Sequence, residues 1–183
     1  MNQKLKIDKT WTLFLDRDGV INERLPGDYV KDWKDFHFLP GSLEGLGILA
    51  PVFERIIIVT NQQGIGKKLM TEANLGDIHS RMLERIKNTN GRIDKIFYCG
   101  SLADANDIRR KPGIGMALEA REYFTEIDFS KSIMVGDTAS DIKFGKDAGM
   151  TTVLLGDSKN DIRADYYFRN LIDFAHFVLN NSK

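Results

Sequence analysis

Cysteine is nearly absent: Cys99 is alone and cannot form an intramolecular disulfide, so a cytoplasmic setting is expected. Net charge is also lacking, since 26 basic residues balance 26 acidic ones. That balance argues against a general nucleic-acid or acidic-membrane surface and leaves only local patches and a small partner. No apolar run approaches the roughly 20 residues a membrane helix needs. The opening residues Met1 to Lys6 carry no apolar leader, and the chain has no internal repeat or low-complexity tract. No nucleic acid or membrane is expected as partner, and a monomer is expected. The length of 183 residues suits one domain, 1–183, with a substantial core.

What is present centres on Thr12 to Asn22, where Thr12-Leu13-Phe14-Leu15 has buried-strand character and runs straight into Asp16-Arg17-Asp18-Gly19. In an extended strand residues i and i+2 share a face, so Asp16 and Asp18 are expected to project into one pocket at the strand's carboxyl end. At about 5 Å and an effective dielectric of about 20, two like charges repel by roughly 3 kcal/mol. The pair therefore requires a bound cation, a shared proton or a wide splay, and a hard divalent cation is the simplest answer. Gly19 allows a sharp turn and close approach to a ligand.

Residues 22–39 mix charge, aromatics and the turn signal Pro26-Gly27-Asp28, which reads as a long excursion over the sheet's carboxyl edge where a substrate could be gripped. Pro40-Gly41-Ser42 opens a helix to about Ala50. Arg55 to Thr60 is a β-branched run typical of a strand buried on both faces, which implies a parallel sheet. Residues 61–70 read as a glycine-bearing loop. Thr71 caps a helix with Leu75, Ile78, Met82, Leu83 and Ile86 at helical spacing, ended by Asn90-Gly91. Ile93 to Tyr98 is a third strand, and a polar loop then leads to Pro112 and a helix bearing Met116, Ala120, Tyr123 and Phe124. Ser132 to Val135, Thr151 to Leu155 and Tyr166 to Phe168 are further strands, with a short helix closed by Gly149 and a last amphipathic helix from Leu171. The alternation predicts an α/β fold, a doubly wound, mainly parallel sheet with helices on both faces, whose ligands sit beyond the strands' carboxyl ends.

Four features fall at such strand ends. Beside Asp16/Asp18 stand Thr60-Asn61, offering a hydroxyl and an amide to a phosphate oxygen; Arg110-Lys111-Pro112, two cations fixed by a proline; and Gly136-Asp137-Thr138-Ala139-Ser140-Asp141, two acids one helical turn apart. Singly, they read more readily as a turn, a solvated basic face or a helix cap. Together they supply a nucleophile, a proton carrier, polar donors, a cation and metal acids, the set needed for phosphoryl transfer to a carboxylate.

On these residues the chain resembles the haloacid dehalogenase superfamily of phosphotransferases, whose four motifs match Phe14 to Val20, Ile57 to Asn61, Lys111-Pro112 and Val135 to Asp141. The resemblance covers nearly the whole chain. It implies Asp16 as the nucleophile that becomes an aspartyl-phosphate, and Asp18 as the acid that protonates the leaving oxygen and later activates water. Thr60 would bind the transferring phosphoryl group and Lys111 neutralise its charge. Mg²⁺ would be held by the Asp16 carboxylate, the Asp18 carbonyl and Asp137, with Asp141 supporting them.

Within the superfamily, Leu15 to Asn22, Gly27-Asp28-Tyr29-Val30, Thr60 to Gly66 and Arg110 to Met116 look like the D-glycero-D-manno-heptose 1,7-bisphosphate phosphatases and the sister histidinol phosphatases. These lack a large cap domain, consistent with the roughly 50 residues between the second and third motifs here, and the likeness makes Asn61, Gln63 and Arg110 candidate substrate contacts. Arg110 and the Lys67-Lys68 loop offer positive charge for a second, distal phosphate. The family's structural zinc would need ligands at Cys99, Ser101, Asp107 and Arg109. One soft ligand cannot hold tetrahedral zinc, so no zinc is expected, and Cys99 is read as a half-buried strand end. Other phosphatase or phosphomutase substrates stay open. A phospho-accepting receiver domain is disfavoured because Tyr98-Cys99-Gly100 offers no acceptor, and a phosphosugar-binding protein without catalysis would be expected to lose Asp16 or Asp18.

Overall fold

The computed structural model describes residues 6–156 and 161–182, so the leader reading of the first residues lies mostly outside it. Among the described residues, β1 (Thr12–Leu15), β2 (Arg55–Asn61), β3 (Lys95–Cys99), β4 (Ser132–Gly136), β5 (Thr151–Leu155) and β6 (Tyr166–Phe168) form one sheet in the order β3-β2-β1-β4-β5-β6. Every pairing is parallel, and Leu15 lies level with Ile58 on one side and Val135 on the other. All six strands therefore end on the same edge, and the first strand sits at the centre, where the strand order reverses.

The period-2 pattern of the strands builds two cores. Leu13, Leu15, Ile56, Ile58, Ile133 and Val135 face one side, packing on α1 (Ser42–Leu49), α3 (Glu72–Lys87) and α6 (Leu171–Asn181). Phe14, Ile57, Val59, Phe97 and Met134 face the other, against α4 (Gly115–Tyr123) and α5 (Ala139–Ala148). Such two-sided burial is what the β-branched runs required. Thr71 caps α3, accepting from Asn74 N, while the Asn74 side chain accepts from Thr71 N. Gly149, in the left-handed region, closes α5.

The structure differs from the sequence reading in four places. In α4 Met116 and Ala120 are buried as read, but Tyr123 is exposed and Phe124 lies just past the helix end. Residues 61–70 are not all loop, because α2 (Gln63–Gly66) makes one helical turn after β2. The third strand starts at Lys95 rather than Ile93: Asp94 is spent bracketing Ile56 through its backbone and carboxylate, and Arg92 pairs with it while capping carbonyls of Ala50 and Phe53. Cys99 is a strand end but is fully rather than half buried. No helix among the described residues is long and apolar enough to cross a membrane.

Candidate active site

Beyond β1 the chain leaves the extended state at once. The backbone N–H groups of Ile21 and Asn22 turn back onto the Arg17 carbonyl, and Gly19 adopts φ +93°. A methyl group on Gly19 would overlap the Asp137 carboxylate, and one on Gly136 would overlap the Asp141 side chain. Gly19 thus lets the end of β1 approach the end of β4, and Gly136 lets the first turn of α5 fold back onto β4, which together bring the acids close.

Asp16 is the centre of that meeting. Lys111 Nζ lies 2.9 Å from Asp16 Oδ1 and 2.6 Å from Asp141 Oδ1, and all three side chains are at least nine-tenths buried. Lys111 is aimed by Asn61, which receives the Lys111 N–H on Oδ1 and donates Nδ2 to the Lys111 carbonyl, each at 3.0 Å. Asn61 lines the cavity, yet both ends of its amide bracket this backbone. Asp141 divides its two oxygens: Oδ2 accepts from Thr138 N at 3.0 Å and caps α5, and Oδ1 faces Lys111. Helix capping and an ion pair with Lys111 thus coexist on one residue.

The two motif aspartates line one cavity, as the strand alternation predicts, but their carboxylates have different partners because the extended backbone ends at Leu15. Asp18 Oδ1 accepts from Arg17 Nη2 at 2.8 Å and Asn22 Nδ2 at 2.9 Å, and Oδ2 accepts from Gln62 Nε2 at 2.8 Å. Burial pushes the Asp18 carboxyl up, but the charge of Arg17 and the hydrogen bonds from Arg17, Asn22 and Gln62 outweigh it and hold the group below its ordinary value. Asp16 goes the other way. Burial, with the charges of Asp141, Asp18 and Asp137 adding to it, pushes it up to about 7 against the pull of Lys111. Burial likewise pushes Asp137 up to about 6, opposed by Arg24.

Ligand oxygens of Asp16, Asp137 and Asp141 lie within 4.8 Å of one another, a hard donor set suited to a divalent cation. The acid cluster is therefore Asp16, Asp137 and Asp141; the Asp18 carboxylate is taken by Arg17, Asn22 and Gln62, and the Asp18 carbonyl accepts from the same Arg24 nitrogen that donates to Asp137.

Asp16, Asp18 and Asp141 open into a cavity of about 450 Å³, lined also by Arg24, Tyr29, Gln62, Gln63, Lys67 and Arg110. Thr60 is fully buried beneath it, its Oγ1 accepting from Gln62 Nε2 at 2.8 Å. Gln63 and Lys67 reach the cavity and Lys68 does not. Arg110 lines it while donating to the Ser101 carbonyl at 3.2 Å. The sequence reading missed Arg17, Asn22, Arg24 and Gln62. Gln62 was findable as the residue two beyond Thr60, and Arg17 as the cation between two acids; nothing local marks Arg24.

Cys99, Ser101, Asp107 and Arg109 do come together. Asp107 Oδ2 accepts from Ser101 Oγ at 2.5 Å and from Cys99 Sγ at 3.5 Å, and Oδ1 accepts from Arg109 N at 2.8 Å. Hydrogen bonds thus close the loop that carries Arg110 and Lys111.

The family model described as polynucleotide kinase 3 phosphatase matches residues 13–177. The D-glycero-alpha-D-manno-heptose-1,7-bisphosphate 7-phosphatase of Mycobacterium tuberculosis is 34% identical over 170 residues, 90% of each chain. The D-glycero-beta-D-manno-heptose-1,7-bisphosphate 7-phosphatase of Vibrio cholerae is 36% identical over 151 residues, 78% of this chain and 79% of that one. The crystal structure of the D,D-heptose 1,7-bisphosphate phosphatase from B. bronchiseptica, complexed with magnesium and phosphate, superposes with a TM-score of 0.86 at 27% identity, covering 93% of this chain and 98% of that chain. Motifs, strand order and relatives agree over nearly the whole length, and the chain belongs to the haloacid dehalogenase superfamily of phosphatases.

Proposed function

We propose that this phosphatase is Mg²⁺-dependent, works through an aspartyl-phosphate on Asp16, and removes the C7 phosphate of a D-glycero-D-manno-heptose 1,7-bisphosphate. The observation that carries the reading is the buried Asp16–Lys111–Asp141 group beside Asp137, opening into a cavity that also presents Lys67 and Arg110. The acids and Lys111 suit one phosphoryl group. The further cations suit a second, and about 450 Å³ accommodates a sugar of this size. The named relatives act on heptose bisphosphates of either anomer, which supports the sugar and leaves the anomer to experiment.

In this mechanism an Asp16 carboxylate oxygen bonds to phosphorus as the bond from phosphorus to the sugar oxygen breaks. The departing oxygen takes a proton from Asp18. Water, giving its proton back to Asp18, then attacks phosphorus and frees Asp16 and inorganic phosphate. Asp18 is held in its ionised form beside Arg17, Asn22 and Gln62, and a phosphate dianion brought alongside would raise its proton affinity, the direction that its role as an acid requires. Lys111 neutralises charge on Asp16 and on the phosphoryl oxygens, and Thr60, joined to Asp18 through Gln62, contributes a hydroxyl. Mg²⁺ held by Asp16, Asp137 and the Asp18 carbonyl, with Asp141 in support, would screen the phosphate from its attacker.

The test is phosphate release with Mg²⁺, comparing kcat/KM for both heptose 1,7-bisphosphate anomers with histidinol phosphate. A preference of about 100-fold or more for a bisphosphate, about 2.7 kcal/mol, is expected, with EDTA abolishing activity and Mg²⁺ restoring it. Even hydrolysis of all three substrates would overturn the heptose assignment. For Asp18→Asn, a fall in kcat of roughly 10²- to 10⁴-fold is expected, the scale of a lost general acid and base. A wild-type rate would move the proton to another group.

A further inference from the structure

Arg24 reaches from the 22–39 excursion into the acid cluster. Its Nη2 donates to Asp137 Oδ1 at 2.7 Å and to the Asp18 carbonyl at 3.1 Å, and it stands 3.6 Å from Asp16 Oδ2. One cationic nitrogen therefore collects three oxygens from two strand ends. Two are carboxylate oxygens and one is a carbonyl, which are also the donors that an oxygen-loving divalent cation takes. They are the same groups to which the proposed function assigns Mg²⁺, and the inference rests on that reading.

Nη2 and a divalent ion cannot share those oxygens. Ligand distances of about 2.0–2.6 Å would place an ion in the space the guanidinium fills, and the two positive charges would repel. Leaving is easy for Arg24, because its side chain is 45% exposed whereas those of Asp16 and Asp137 are 7% and 18% exposed. The neighbouring turn at Pro26-Gly27, with Gly27 at φ +74°, lines the same cavity, so a displaced guanidinium has open space beside it. The acids by contrast are fixed by the sheet.

We propose that Arg24 is an intramolecular competitor for the metal site: it neutralises Asp16 and Asp137 until a divalent cation drives it out toward the cavity, and so sets the cation concentration at which the site fills. A competitor tied to the same chain lowers apparent affinity by the fraction of molecules in which it sits aside. Removing it should strengthen metal binding, the opposite of what losing an ordinary site residue does.

Calorimetric titration of MgCl₂ into EDTA-stripped, dialysed wild type, Arg24→Gln and Arg24→Lys tests this directly. Arg24→Gln is expected to bind Mg²⁺ at least about 10-fold tighter than wild type, equivalent to about 1.4 kcal/mol. Its stripped form should melt below stripped wild type, with saturating Mg²⁺ closing the gap. Arg24→Lys, which keeps a charge on a shorter reach, should fall between the two. Equal or weaker Mg²⁺ binding by Arg24→Gln would overturn the competition while leaving the metal-dependent phosphatase reading intact. Absence of Mg²⁺ binding in all three proteins would overturn both. Wild type alone gives a further readout that needs no variant: the Arg24 side-chain N–H resonance should shift with the same Mg²⁺ midpoint as the calorimetric signal, and a resonance unmoved at saturation rejects the displacement.

Discussion

Asp16→Asn is expected to eliminate phosphate release, by on the order of 10⁶-fold, the scale on which an enzyme loses its nucleophile, while the protein folds normally. An amide has the shape of the carboxylate, and its oxygen can still receive the Arg17 N–H that Asp16 Oδ1 receives at 2.7 Å. Lys111 keeps Asp141 as a counter-ion. The amide cannot form an acyl phosphate by simple attack, so chemistry rather than architecture is lost. Phosphate release at saturating substrate and Mg²⁺, measured beside the circular dichroism spectrum and Tm, separates the two. Residual turnover within about 100-fold of wild type, roughly 2.7 kcal/mol, would exclude Asp16 as the covalent centre.

Lys111→Met should lose activity and stability together. Lys111 is the cation between two buried acids, and its own pKa is raised because Asp141 and Asp16 outweigh the burial that would lower it. Removing one partner of a buried charge group typically costs about 3–5 kcal/mol. For a chain of this size about 2–4 °C accompanies each kcal/mol, so Tm at pH 7.5 should fall by about 6–20 °C.

The sign of its pH dependence follows from the acids left behind. Asp16 already has a raised folded-state pKa, and without Lys111 it rises further. A raised acid stabilises the fold below its unfolded pKa near 4 and loses that contribution as pH climbs through the folded value. The deficit of Lys111→Met against wild type should thus shrink as pH is lowered from about 8 toward 5. An unchanged Tm at pH 7.5, or a deficit that grows on acidification, would show that Lys111 is not the cation balancing this pair.

How far the sequence could be read depended on the range over which each signal acts. The parallel sheet was legible because Ile56 to Val59 and Leu13 to Leu15 encode burial on both faces within a few residues, and helix ends were legible because Thr71 and Gly149 act on adjacent backbone groups. The four motifs could be placed at strand ends for the same reason. The direction of each side chain after the strand ended was not legible, since period 2 holds only for extended backbone and Arg17 to Asn22 form a turn. Asp18 finds Gln62 across 44 positions, Asn61 brackets Lys111 across 50, and Arg24 meets Asp137 across 113.

The sequence by itself determined that this chain folds as a parallel α/β sheet and which carboxylates and cation gather at its edge, because strand burial and motif spacing are local and repeated. Only the tertiary structure decided that the Asp18 carboxylate is taken by Arg17, Asn22 and Gln62, that Asn61 aims Lys111, and that Arg24 occupies the donors a cation would take. Those choices are made by contacts between distant segments competing for the same few buried oxygens, and no local pattern records the outcome of that competition.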